Sequence, residues 1–141
     1  MSFPDVKTLI PHRPPILLVD RITELIPGKT IRTEFYADPG MPVFAGHFPG
    51  DPVFPGVYSI EAMTQTGACL LMSQNENRGR TPLFLGVNSA RFIKAVRPGD
   101  ILEMCAEILS VRKDKEIYTL KEELCVNGET AAVCEAVVIM K

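Results

Sequence analysis

From Val53 to Asn75 the chain carries one charged side chain, Glu61, and that scarcity of charge limits its possible folds more than any other feature. Pro55-Gly56 opens a helical pattern reaching about Ser73. Proline suits a helix start because its missing N–H would be unpaired there anyway. Val57, Tyr58, Ile60, Ala62, Met63, Ala68, Cys69, Leu70, Leu71 and Met72 point in nearly every direction around this helix. A helix apolar all round is buried all round. In a chain of 141 residues the economical cover is a sheet wrapped around it.

The rest of the chain offers that sheet. After the turn signal Pro27-Gly28, Thr30 to Tyr36 alternates as a strand does. Leu83 to Val87 and Ala90 to Ile93 are two short strand candidates. Leu102, Met104, Ala106 and Ile108 alternate with Glu103 and Glu107, the pattern of a half-buried strand. Tyr118, Leu120, Leu124 and Val126 continue it, with Glu122 the one polar residue in that register. Asn127-Gly128 is a two-residue hairpin signal, and Ala131 to Met140, apolar on both faces, reads as a strand either central or covered on both sides. Asp5 to Ile10 suits a short helix stopped by Pro11, and Ile16 to Val19 is an apolar run. The expectation is a single α+β domain over residues 1–141, one long helix against a mostly antiparallel sheet of five or six strands.

Composition closes off several function classes. A net charge of −2 and a pI near 5.7 argue against a nucleic-acid module, which needs a concentrated basic face. No apolar run approaches the roughly 20 residues that span a bilayer, and Met1 to Asp5 does not read as a signal peptide, so a cytoplasmic chain without membrane insertion is expected. Cys69, Cys105, Cys125 and Cys134 form no C-x-x-C pair and lie at no zinc-ligand spacing from the two histidines, so no metal is expected. The hairpin register sets Cys125 opposite Thr130 and leaves no cross-strand disulfide with Cys134.

Glu61 is the anomaly in the buried helix. An isolated carboxylate in such a place must be paired, hydrogen-bonded or held protonated. Gln65, four residues on, shares its face and can donate an amide N–H to it. That arrangement suits a general acid, while the bland reading is a structural glutamate paired with an arginine elsewhere. His47 stands in Ala45-Gly46-His47-Phe48-Pro49-Gly50, within a Pro39–Pro55 stretch holding five of the 12 prolines. That stretch is too apolar for a linker and reads as an ordered, pinned loop. His47 is either a general base or a loop histidine capping a carbonyl, and the loop feeds straight into the helix bearing Glu61. The N–H groups of Gly56 and Val57, at the helix start, would favour negative charge developing on a carbonyl oxygen. A base, an acid and an electrophilic backbone site are what acid–base elimination beside a carbonyl requires, and it needs no cofactor.

The string Gly46-His47-Phe48-Pro49-Gly50-Asp51-Pro52-Val53-Phe54-Pro55-Gly56-Val57, then Ile60-Glu61-Ala62-Met63-Thr64-Gln65, resembles the signature of the β-hydroxyacyl-[acyl-carrier-protein] dehydratases of the FabA/FabZ family, FabZ type. Leu9-Ile10-Pro11-His12-Arg13, Leu17-Leu18-Val19-Asp20-Arg21, Ala90-Arg91-Phe92 and Val96-Arg97-Pro98-Gly99-Asp100 extend the likeness along almost the whole chain. The resemblance implies a hot-dog fold, a long central helix wrapped by a curved antiparallel sheet. It also implies a homodimer, in some members a trimer of dimers, with sites at the dimer interface. His47 matches the catalytic base on the α-proton, and Glu61, from the other protomer, matches the catalytic residue assisting loss of the hydroxyl as water. Gly56, Val57, Phe48 and Gln65 match the positions around the bound thioester, Gln65 orienting the glutamate. The product would be a trans-2-enoyl thioester on acyl carrier protein, in fatty acid biosynthesis.

Pro14-Pro15-Ile16 and Pro39-Gly40-Met41-Pro42 depart from the family pattern around the site entrance. Gly50-Asp51-Pro52 is closer to the isomerase branch, which carries aspartate where this chain has Glu61, so dehydration without efficient isomerisation is expected. His12 reads as a capping or mouth residue. Arg78, Arg80, Arg91, Lys94 and Arg97 form the densest basic stretch, either a steering surface for an acidic carrier protein or scattered solvated charges. The alternatives are a hot-dog acyl thioesterase, which has no need of the histidine loop, and a non-catalytic acyl-thioester-binding module.

Overall fold

The helix expected after Pro55 runs from Gly56 to Met72 in the computed structural model, which describes residues 2–141. We call it α2, because one helical turn, α1 (Val43–Gly46), lies inside the proline-rich loop. Ala62 to Leu71 are all buried, whereas Val57 is 70% exposed. The all-round burial expected of this helix therefore holds for its C-terminal two-thirds and fails at its first turn, where Val57 faces outward. Polar groups close the buried end. The Ser73 N–H donates to the Cys69 carbonyl at 3.0 Å, and Asn77 Nδ2 donates to the Leu71 carbonyl at 2.8 Å.

Six strands make one antiparallel sheet: β1 (Arg21–Ile26), β2 (Thr30–Tyr36), β3 (Pro82–Phe92), β4 (Ile101–Arg112), β5 (Ile117–Val126) and β6 (Glu129–Met140). Their spatial order is β1-β2-β4-β5-β6-β3, a curved and unclosed sheet laid over α2. Alternate residues of each inner strand face the helix: Ile31, Thr33 and Phe35; Leu102, Met104 and Ala106; Leu120, Glu122 and Leu124; Cys134, Ala136 and Val138. Thr33 and Thr66 satisfy each other across that interface at 2.8 Å. This is the α+β, helix-in-sheet architecture read from the sequence, and β6 is an interior strand as its apolar faces required. Cys125 pairs with Thr130, and all four cysteines are free thiols.

One expectation is corrected and one strand is added. The short candidates at 83–87 and 90–93 are one strand, β3, in which irregularities between Phe84 and Gly86 and between Val87 and Ser89 break the alternation. Arg21–Ile26 is a strand whose signal was hidden by its polar residues. It is an edge strand, so only one side of it needs apolar cover. The apolar run at 16–19 follows a turn and crosses α2 outside the sheet, burying Leu18 and Val19 in the main core.

Gly67 is where helix and sheet come closest. A Cβ there would stand 2.6 Å from Leu120 Cδ1 and 2.8 Å from Glu122 Oε2, so only glycine admits β5 at this distance.

Candidate active site

The histidine loop is ordered by its own chemistry. Phe44 and Phe54 lie 6.3 Å apart by ring centroid, and Phe54 meets Tyr58 of α2 edge-on at 5.7 Å, so an aromatic cluster anchors both ends. Phe48 and Asp51 exchange backbone hydrogen bonds across Pro49-Gly50 at 3.2 and 2.9 Å, a turn that requires the φ of +79° found at Gly50. Arg97 Nη1 donates to Asp51 Oδ1 at 2.8 Å and to the Pro52 carbonyl at 3.3 Å, clamping the loop from the turn before β4. The Phe54 N–H donates to the Val96 carbonyl at 2.8 Å.

His47 closes this frame. Its N–H donates to the Val43 carbonyl at 3.0 Å, and its Nδ1 lies 2.8 Å from the Val53 carbonyl oxygen. A carbonyl can only accept, so Nδ1 carries the hydrogen and the Nε2 lone pair of the neutral ring is left free. Phe48, 54% exposed, stacks on the imidazole with centroids 4.1 Å apart.

Glu61 is only half-buried, its side chain 29% exposed, which corrects the picture of a carboxylate sealed in the core. Nor is it paired with an arginine. Gln65 Nε2 donates to its Oε2 at 2.7 Å and to the Ile16 carbonyl at 2.8 Å, while Gln65 Oε1 accepts from the Leu18 N–H at 2.8 Å. Both Nε2 hydrogens and the Oε1 of Gln65 are thus engaged in tying Glu61 to the segment that crosses α2. His12, expected to be a cap or a mouth residue, places Nε2 3.8 Å from Glu61 Oε2. His12, Glu61, Thr64, Gln65 and the start of β3 line a cavity of about 150 Å³.

At the start of α2 the Tyr58 and Ser59 N–H groups turn back to the Pro55 carbonyl, leaving those of Gly56 and Val57 as free donors. Phe92 of β3 packs against Gly56, where a Cβ would come within 3.0 Å of its ring. A second cavity, about 340 Å³, opens beside Gly56, Ser59 and Phe92.

Within one chain, no hydrogen bond or ion pair among the described residues joins His47 to Glu61. Behind Glu61 lie Thr64 and Glu122, to which the sequence alone assigns no role. Glu122 of β5 is 1% exposed, accepts from Thr64 Oγ1 at 3.0 Å, and has no partner for Oε2. Burial pushes its carboxyl up to about 8; Thr64 and Cys134 oppose that shift and the charge of Glu61 adds to it. The signal was present in the sequence, as the one polar residue in an inward register. Of the basic stretch, Arg80, Lys94 and Arg97 are engaged with Glu116, Glu129 and Asp51, while Arg91 is exposed on β3 without an ion pair. Among the described residues no three His, Cys, Asp or Glu gather as metal ligands, and no helix is long and apolar enough to cross a membrane.

The sequence matches the FabA-like domain family over residues 10–136. It is 43% identical over 127 residues to a 3-hydroxyacyl-[acyl-carrier-protein] dehydratase FabZ from Caldicellulosiruptor saccharolyticus, covering 90% of this chain and 88% of that one. It is 41% identical over 135 residues to the protein of the same name from Ligilactobacillus salivarius, covering 96% and 95%. Among solved structures it is similar to a chain of the dehydratase heterocomplex ApeI:P from Xenorhabdus doucetiae, with a TM-score of 0.81 at 16% identity, covering 99% and 93%.

Proposed function

The chain belongs to the FabA-like family, and from that footing we propose which of its residues carry the reaction and how they are shared. The activity is that of a hydro-lyase, dehydrating 3-hydroxyacyl thioesters of acyl carrier protein in fatty acid biosynthesis. His47 Nε2 removes the proton α to the thioester carbonyl, and the freed electron pair forms the Cα=Cβ bond. Glu61 protonates the departing β-hydroxyl, which leaves as water. The N–H groups of Gly56 and Val57 accept the charge that gathers on the thioester oxygen, at the positive end of α2. Phe48 shields the imidazole, and Gln65 holds Glu61 in one rotamer. The observation that carries this reading is the bond from His47 to the Val53 carbonyl, which leaves one ring nitrogen, Nε2, as a base.

The two chemical residues come from different protomers in this proposal. β3 is the last strand of the sheet, 11 residues long, with Leu83, Phe84, Leu85, Val87 and Phe92 all more than 40% exposed. A long apolar edge persists in a stable protein only when paired. Joining two β3 edges covers those side chains and brings a partner's loop toward Glu61, whose cavity β3 borders. The single domain then works as a homodimer, and dimers of this kind can assemble further by threes. A cytoplasmic setting accords with a carrier-protein substrate.

The test is enoyl formation from 3-hydroxyacyl thioesters. His47→Ala and Glu61→Gln should each lose at least about a hundredfold in rate, the contribution expected of a general base or acid. Mixing the two inactive variants should restore partial activity. Undiminished turnover in both variants overturns the residue assignment.

A further inference from the structure

Glu122 is a polar residue in the least polar part of the molecule. Its neighbours in the inward register of β5, Leu120 and Leu124, are fully buried and apolar, and a leucine at 122 would continue that surface. Instead the chain keeps a carboxyl there and provides for it. Thr64 donates to Oε1, and the absence of a side chain at Gly67 leaves Oε2 its space. Thr64 also lines the cavity into which Glu61 opens, so one residue touches both that cavity and the Glu122 carboxyl.

We propose that Glu122 is a positioning residue for the dehydration: joined through the Thr64 hydroxyl to the cavity it shares with Glu61, it holds the proton that returns Glu61 to its acid form. The proposal rests on the dehydratase reading above. In each turnover the α-proton goes to His47 Nε2, and the proton of Glu61 leaves with the β-hydroxyl as water. Glu61 is then a carboxylate. The O–H of Glu122 passes its proton to Thr64 Oγ, and the Thr64 hydroxyl hydrogen passes through water in the cavity to Glu61. Glu122 is left ionised, hydrogen-bonded by Thr64, until solvent returns the proton and His47 releases its own. A cavity of about 150 Å³ is large enough for the connecting water.

The surroundings of Glu122 suit a group that keeps its proton. From α2 it faces Glu61 and Thr64, from β6 the thiol of Cys134, and from β4 its register partner is Ala106. Its chain neighbours Lys121 and Glu123 fall in the opposite register, and no salt bridge reaches it among the described residues. Burial and the nearby Glu61 both favour its neutral form, so Glu122 keeps its proton near pH 7.

The test compares the pH profile of kcat for the wild type, Glu122→Gln and Thr64→Val on a 3-hydroxyacyl thioester. It is joined to an infrared titration of the protonated-carboxyl band. Glu122→Gln preserves shape and neutrality, and should fold with an unchanged or higher melting temperature. Its kcat should fall at least about tenfold at neutral pH with KM unchanged, and its alkaline limb should move acidward by more than about one unit. Thr64→Val should do the same while the carboxyl band persists. In the wild type that band should bleach with a midpoint near 8, and it should be missing from Glu122→Gln. A Glu122→Gln profile that superimposes on the wild type, a loss of rate without movement of the limb, or a Glu122 already ionised at pH 6 overturns the proposal. If the wild type formed no enoyl product, the dehydratase reading itself would fall; a profile unchanged by Glu122→Gln in an active enzyme removes this inference alone.

Discussion

Glu122 sets a pH dependence of stability that runs opposite to that of an ordinary paired carboxylate. Its carboxyl, 4.5 when free, rises to about 8 in the folded chain. Between those values the folded state holds a proton that the unfolded state has lost, so stability falls as pH rises through that window and levels off above it. The expected outcome is a melting temperature that declines from about pH 5 to pH 8, with a slope flattened in Glu122→Gln; calorimetry across that range checks it. Gly67 belongs to the same contact. Gly67→Ala would gain up to about 1 kcal/mol of helix propensity. The new Cβ would lie 2.6 Å from Leu120, a fully buried side chain, and overpacking of that kind costs about 1–3 kcal/mol. A lowered urea midpoint is the expected result. Thiol chemistry is quiet at this scale, since burial pushes Cys69 up to about 12 and burial with Glu122 does the same to Cys134. Neither should be alkylated in the native protein at neutral pH.

At the scale of elements, the proline loop and the turn before β4 act together. The Arg97–Asp51 pair is exposed on both sides and contributes less than about 1 kcal/mol to stability. Its consequence lies in placement, because Asp51 and Pro52 border the turn that sets the path from His47 to Val53. Arg97→Ala should therefore lower kcat about three- to tenfold while the melting temperature moves by less than about 2 °C. Steady-state kinetics beside a thermal scan distinguishes this from general destabilisation. How much of each element could be read from the chain differs for a physical reason. Thr30–Tyr36 and the strands from Ile101 onward alternate cleanly, because one face meets α2 and the other does not. β3 shows no clean alternation, because its register shifts near Gly86 and Asn88 and neither of its faces is buried in a single chain. The closeness of His12 to Glu61 likewise spans 49 residues of sequence, and no local pattern carries it.

For the whole molecule, the open, apolar edge at β3 is where the proposed pairing of two chains can be tested. If two chains pair through β3 as proposed, placing lysines at Leu85 and Val87, both exposed on that strand, should leave the chain folded, yield a monomer and abolish turnover. Size-exclusion chromatography with an activity assay checks both halves, and an active monomer would exclude a shared site. Sequence alone determined the helix that must be wrapped, the hairpin register after Val126, the proline-pinned histidine loop and the Glu61–Gln65 pair. Each follows from spacing along one element, and spacing is a local property of the chain. Only the tertiary structure decided that Glu61 opens into a cavity instead of lying sealed in the core, that His12 stands beside it, and that Glu122 waits behind it through Thr64. Those relations depend on how closely β5 approaches α2 at Gly67 and on where the crossing segment lies, distances between elements remote in sequence that no periodicity encodes.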